Sequence, residues 1–444
     1  MPRAQAATGT IAPWARTPSL FLMIPPSVPH PIAVLSLALC SLLLISTESV
    51  AESSAQVPAR RALQVSVRAT QSKGAEVFYD LEGGESKVLA GVSLDGGASI
   101  RLLPPDSLSG DVGAGVKPGK RKRLVWRMSA DEPMLNLGHA RVAVIALLKT
   151  DCGDFVSIPG GEYQMGDALG DPECLPGHNR PHPSTPTSIR LTGYAIGSTE
   201  ATKQHWDTVR EWALTHGYPE LPAGIAKVPS EPIRGVHWYD IVMWCNAASE
   251  REGLVPCYYT PDNQVYRSGI VDDVRWKGDA NGYRLPTEAE WEIAARGGLK
   301  GKRFPWGDVI THEFANYTSD AKFSYDVSAT RGPHPRYLVG KSGSISPVGS
   351  FPANAYGIFD MAGNVVEWCW DWYAPYQGGL DPRGAYCEDP NIHWAVRYSR
   401  VLRGGAFYRE PSLCMNAARY ASVGVARRSP NIGFRVARAV APLP

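Results

Sequence analysis

The sequence predicts an α+β chain in two parts: a small all-β sandwich over residues 61–150, then a larger module over 154–438 with little regular secondary structure. Three observations predict it. Short alternating apolar runs, LQVSV near Leu63, EVFYDL near Glu76 and ARVAVIALL near Ala140, are separated by turn clusters such as LLPPDSLSGDVGAGVKPG, the texture of antiparallel strands joined by tight turns. After Asp154 that texture stops, and most of the thirteen tryptophans lie from Trp206 onward among Gly, Pro and Asn. Two segments of this second part nevertheless carry complete helix signals.

Bulk properties narrow the function. At 444 residues the chain is long enough for two or three domains. Its 44% hydrophobic and 20% charged content is that of a folded protein. A net charge of +2 recommends neither nucleic acid nor an anionic membrane as partner. The one dense basic run, KPGKRKR from Lys117, reads as a solvated hairpin loop, because a nucleic-acid footprint extends over a face. The glycines of GDVGAG lack the spacing and following helix of a phosphate loop and read as turns.

The uncharged run PIAVLSLALCSLLLI, from Pro31, is followed by STESVA with Ser49 and Ala51 at the small-residue positions of a cleavage site. Residues 1–51 therefore read as a signal peptide or membrane anchor, and 52–60 as a linker. The run is shorter than the ~20 residues a spanning helix needs, which favours cleavage and an exported protein. A membrane enters only if the segment stays uncleaved. Setting aside Cys40 leaves seven of the eight cysteines, enough for up to three disulfides and at least one further thiol.

In the second part, HWYDIVMWCNAASEREG, from His237, places Tyr239, Val242, Trp244, Cys245 and Ala248 broadly on one helical face, with Gly253 as terminator. In RLPTEAEWEIAARGG, Thr287 and Glu290 form a capping box, Arg296 falls in the last turn and Gly297 ends the helix. Glu288, Glu290 and Glu292 thus have an electrostatic reason to lie near the helix start, against a reading as general acid and base. In CLPGHNRPH, the four-residue spacing of Cys174, His178 and His182 suggests a metal site, but Pro176 and Pro181 prevent one helical face from presenting them.

The segment ANAYGIFDMAGNVVEWCWDWY carries Asp360 and Glu367 seven residues apart around Gly363. Two carboxylates and inward carbonyls suit calcium, which tolerates irregular oxygen shells. The same carboxylates could instead bind loop amides.

Eight motifs together resemble the formylglycine-generating enzyme family, also called the sulfatase-modifying factor family: IPGGEYQMGD, STEATKQHW, WYDIVMWCNAASEREG, YRLPTEAEWEIAARGG, FPWGD, GIFDMAGNVVEW, VLRGGAFY and NIGFRVAR, in that order across residues 154–438. The resemblance implies a C-type-lectin-like core with bound calcium. It assigns one calcium site to Asp360, Gly363, Val365 and Glu367, the middle two through carbonyls, and a second site beginning at Asn316.

The family's chemistry is oxidation of a sulfatase cysteine to formylglycine, using oxygen and a copper(I) ion held by two cysteine thiolates. The second thiolate position is similar to Cys414, but the first falls on Arg409, a permanent cation that is no soft ligand. A family serine is Ala406 here and a tryptophan of the calcium loop is Val366. The sequence therefore predicts a calcium-stabilised module without the two-cysteine copper site, holding a peptide, protein or glycan. The alternative is an oxidase acting through Cys414 at an altered site.

Overall fold

The computed structural model describes residues 62–70, 74–81, 86–93, 101–127, 141–171, 186–373, 399–422 and 424–440. The expected signal or anchor, the linker, Cys387 and the CLPGHNRPH segment lie outside these residues.

The first part is a sandwich of two antiparallel sheets. Strands β1 (Ala62–Thr70) and β2 (Gly74–Leu81) form one hairpin, and β3 (Ser86–Ser93) opens the facing sheet. β4 (Arg101–Leu102) and β6 (Gly113–Val116) pair with β3, whereas β5 (Leu108–Gly110) and β7 (Gly119–Arg127) complete the sheet of β1 and β2. The period of two is visible in the core: Val77, Tyr79 and Leu81 of β2 and Leu124 and Trp126 of β7 meet Val88, Ala90 and Val92 of β3. The KPGKRKR run corrects the loop reading, because Gly119 already begins β7. Arg123 and Lys122 then pair with Glu76 and Asp111.

β8 (Arg141–Thr150) pairs with β3 along its length and with β9 (Gly153–Ile158) through a tight turn. β10 (Gly161–Met165) and β11 (Thr187–Leu191) make a separate hairpin, and β12 (Tyr194–Gly197) lies beside β9. Ala437–Ala439, near the chain end, pairs with β12 and with Tyr283–Arg284. One eight-stranded sheet therefore runs from the sandwich into the second part and joins residues some 240 positions apart.

Three helices pack around it. α1 (Lys203–Ala213), not foreseen from the sequence, is capped by Thr202 and buries Trp206, Val209 and Ala213. α2 (Trp238–Arg251) starts at His237, and α3 (Glu288–Arg296) starts at Thr287 with the expected capping box and ends at Gly297, φ +55°. Trp206 and Trp244 stack at 5.7 Å in a core shared by α1 and α2. The chain is thus α+β with sparse helices and many short strands.

Candidate functional site

The carboxylates of α3 are anchors. Arg284 pairs with Glu290 at 2.6 Å, Arg419 with Glu288 at 2.6 Å and Arg296 with Glu292 at 2.7 Å, while Arg403 reaches Glu292 as well. Each buried charge has a guanidinium, so the helix ties the RGG loop at Arg403 to the core. Burial alone would raise Glu292, but Arg296 and Arg403 outweigh it and hold the carboxyl below the usual glutamate range.

Two loops close over Cys414. Gly363 donates its N–H to Gly404 O at 2.7 Å, and Phe407 donates to Asn364 O at 2.9 Å. Glycine is required where they touch: a Cβ on Gly405 (φ +76°) would lie 2.6 Å from Cys414 Sγ, and one on Gly363 (φ +83°) 2.2 Å from Asn316 O. Cys414 is 0% exposed, packed with Phe304, Tyr317 and Met415, and its thiol donates to Glu410 O at 3.8 Å. Burial pushes this thiol up to about 12, against the opposing amides of Ala406 and Gly363. The five described cysteines, Cys152, Cys245, Cys257, Cys369 and Cys414, are all free and buried.

Arg409 is only half-buried. Its backbone is fixed by hydrogen bonds to Ala406 O and from Thr318 N, both 2.9 Å. Its guanidinium lies 4.8 Å from the ring centre of Tyr408, which is 38% exposed, and its Nε is buried without a hydrogen bond. Neighbouring Glu410 is taken by Lys322 at 2.6 Å. A cation and an inaccessible protonated thiol are the opposite of two soft anionic sulfurs, so these residues do not fit a two-thiolate copper ion.

The turn carrying Asp360 (φ +56°), Gly363 and Asn364 (φ +57°) rests on a buried polar network. Glu367 is 0% exposed with both oxygens engaged: Arg435 holds it bidentately at 2.7 Å and 2.7 Å, and Trp291 Nε1 donates at 2.8 Å. Asp360 Oδ2 accepts from Gly349 N–H at 2.6 Å, whereas Oδ1 is buried without a partner.

Facing Asp360 is Glu200, which the sequence reading quoted in STEATKQHW without singling out. It is 0% exposed; Oε1 accepts from Asn364 Nδ2 at 3.0 Å, and Oε2 has no donor. The two carboxyl groups lie within hydrogen-bonding reach of each other. Burial raises Asp360 to about 6 and raises Glu200 well above the usual glutamate range, with Asp360 and Glu367 adding repulsion at Glu200.

Asn316 sits on the far side of the same turn. Its Nδ2 donates to Ser344 O at 2.9 Å and its Oδ1 is buried without a partner. The loop after it is organised by Asp326, which accepts from Tyr317, Ser319, Asp320 and Ser328 and pairs with Arg331 at 3.2 Å. Of the calcium ligands implied by resemblance, Asp360 and Asn316 therefore each keep an open buried oxygen and Glu367 keeps none. Among the described residues no three His, Cys, Asp or Glu side chains converge as a metal cage, and no helix is long and apolar enough to cross a membrane.

This architecture, an α+β C-type-lectin-like fold whose loops converge on one buried turn, defines the class. Residues 143–440 match the description of the Sulfatase-modifying factor enzyme 1-like domain, and the chain belongs to that family. It is 34% identical over 228 residues to chaperone protein LppX of Paenibacillus barcinonensis, covering 50% of this chain and 71% of the other. It is 30% identical over 300 residues to the formylglycine-generating enzyme of Streptomyces coelicolor, covering 64% and 88%. With the inactive C-alpha-formylglycine-generating enzyme 2 of Mus musculus it shares 29% identity over 267 residues, covering 59% and 78%.

Proposed function

We propose that this protein is an exported, calcium-stabilised binding module that holds a peptide or glycan at the Arg409 face and does not oxidise a peptidyl cysteine. The observation that carries this reading is the exchange at the family's copper position: Arg409 stands there as a guanidinium, and Cys414 is sealed behind the RGG loop as a protonated thiol. Tyr408 and Arg409 offer an aromatic face beside a cation without a carboxylate partner among the described residues. Such a pair recognises a ligand through stacking and hydrogen bonds. Relatives named as a chaperone and as an inactive enzyme are compatible with a family member that has left oxidation behind.

The test is mass spectrometry of a cysteine-containing sulfatase-motif peptide incubated with the protein, Cu(I), calcium and oxygen, with an Arg409→Cys variant alongside. No formylglycine from the unaltered protein is expected, and formylglycine from it would overturn the reading. Product from the variant alone would place the peptide at this face and the loss of activity at Arg409.

A further inference from the structure

Apolar exposure and positive charge coincide beside Arg409. Thr318 donates its N–H to Arg409 O at 2.9 Å and its Oγ1 to Phe407 O at 3.2 Å, so the loop after Asn316 lies along the RGG loop. Thr318 and Ser319 pair with Pro333 and Gly332, and a short hairpin follows in which Leu338 faces Gly343 and Val339 faces Ser342. That hairpin also rests on the RGG loop: a Cβ on Gly343 would lie 3.1 Å from the Phe407 ring. Leu338 is 47% and Val339 59% exposed, and Tyr408, whose ring meets Phe407 at 5.1 Å, is exposed as well. Adjacent aliphatics beside an exposed aromatic make the contiguous apolar surface that marks a contact site. The charge around it has one sign. Lys341 stands in the hairpin turn, Arg336 lies two residues before Leu338, and Lys227 donates to Ser344 Oγ at 3.2 Å from a neighbouring loop. Among the described residues neither these three nor Arg409 has a carboxylate partner, whereas Asp320 and Glu410 are held by Lys322 and Asp326 by Arg331.

We propose that this surface takes an extended acidic peptide, with one carboxylate side chain entering to Arg409 and apolar side chains of the same peptide covering Tyr408, Leu338 and Val339. The inference rests on the binding-module reading and names its ligand. Arg409 favours a side chain over a membrane: it is half-buried with its Nε below the surface, where a flat layer of headgroups cannot follow, while a single carboxylate can take two of its N–H groups. Leu338 and Val339 favour a peptide over a sugar, whose hydroxyls need polar partners when water is excluded. Lys227, Arg336 and Lys341 stand at the rim, where charge steers an acidic chain in more than it fixes it there.

The test uses the whole protein and three fluorescein-labelled peptides of one length, in which Leu and Val alternate with Glu, with Gln or with Lys, read by fluorescence anisotropy at low and raised salt. The Glu peptide is expected to bind, less tightly as salt rises, roughly tenfold tighter than the Gln peptide, and the Lys peptide not at all. Arg409→Gln orphans no carboxylate and should weaken the Glu peptide roughly tenfold while leaving the Gln peptide nearly unchanged. Leu338→Ser/Val339→Ser should weaken both peptides roughly tenfold, and Arg336→Gln/Lys341→Gln should cost about two- to fivefold on the Glu peptide alone. Melting curves of each variant check that the fold survives. Equal binding of the Glu and Gln peptides, both weakened by Arg409→Gln, would overturn the acidic preference and leave the binding-module reading standing. Absence of binding by every peptide overturns the inference, and formylglycine in the assay above would then overturn that reading with it. Capture of phosphatidylglycerol vesicles or of polygalacturonate in preference to the Glu peptide would likewise sink it, in favour of a membrane or an anionic glycan.

Discussion

Replacing Arg435 by Met removes a fully buried guanidinium while keeping most of its aliphatic volume, so the loss is electrostatic. Arg435 makes two 2.7 Å bonds to Glu367 and two 3.1 Å bonds to carbonyl oxygens, and both partners of the ion pair are 0% exposed. Breaking one side of a buried pair leaves the other charge uncompensated, at about 3–5 kcal/mol. For the unit spanning residues 143–440, whose unfolding entropy is about 0.6 kcal/mol/K, that corresponds to a melting temperature lower by about 5–8 °C. The natural control is Arg275→Met: Arg275 and Asp273 pair at 3.2 Å with side chains 57% and 63% exposed, and an exposed pair contributes at most about 1 kcal/mol. Both variants are compared by calorimetry and urea unfolding in saturating calcium. In the double variant Arg435→Met/Glu367→Gln the amide oxygen still accepts from Trp291 and no buried charge is orphaned, so about half or more of the loss should return. The reasoning fails if Arg435→Met behaves like Arg275→Met, or if the double variant is no better than the single.

Further outcomes follow from the same geometry. Gly363→Ala combines a left-handed backbone with a Cβ 2.2 Å from Asn316 O and should lower stability by about 3 kcal/mol, against about 1–2 for Gly340→Ala (φ +65°), which has open space; equal losses would deny the clash. Native protein at pH 8 should leave Cys414 unmodified by iodoacetamide, its thiol being buried and pushed up to about 12, and alkylation should appear only with denaturant, as read by peptide mass spectrometry. Glu292 and Asp326 are held below their ordinary ranges, Glu292 by Arg296 and Arg403, Asp326 by its hydroxyl and amide donors, in both cases against burial. Their stabilisation is complete above an unfolded carboxylate value of about 4 and is lost as pH falls through the lower folded values. Glu292→Gln should therefore flatten the acid limb of a stability–pH curve, and an unchanged limb would count against the assignment.

Much of the fold was legible because it is written in local rules. Thr287, Glu290 and Gly297 announce α3 by capping chemistry alone, and Val77, Tyr79 and Leu81 announce β2 by alternation. α1 escaped notice although Thr202 and the spacing of Trp206, Val209 and Ala213 mark it, because His205 stands at the capping-box position where Glu or Gln is the usual signal and Leu214, not glycine, ends the helix. β7 was obscured by its own charges: Lys120, Arg121, Lys122 and Arg123 look like a loop until Glu76 and Asp111 are found beside two of them.

The sequence by itself determined the family, through ordered motifs, and it put Arg409, a guanidinium that is charged wherever the fold places it, where the resemblance implies a thiolate. Only the tertiary structure decided the states of the other candidates. Cys414 is buried because the RGG loop packs on its sulfur, and both oxygens of Glu367 are engaged because Arg435, 68 residues later, reaches them. Glu200 becomes the partner of Asp360 from 160 positions away. The physical reason is that desolvation and pairing set what a charged or nucleophilic group can do, and both depend on neighbours that the chain brings together only when it folds.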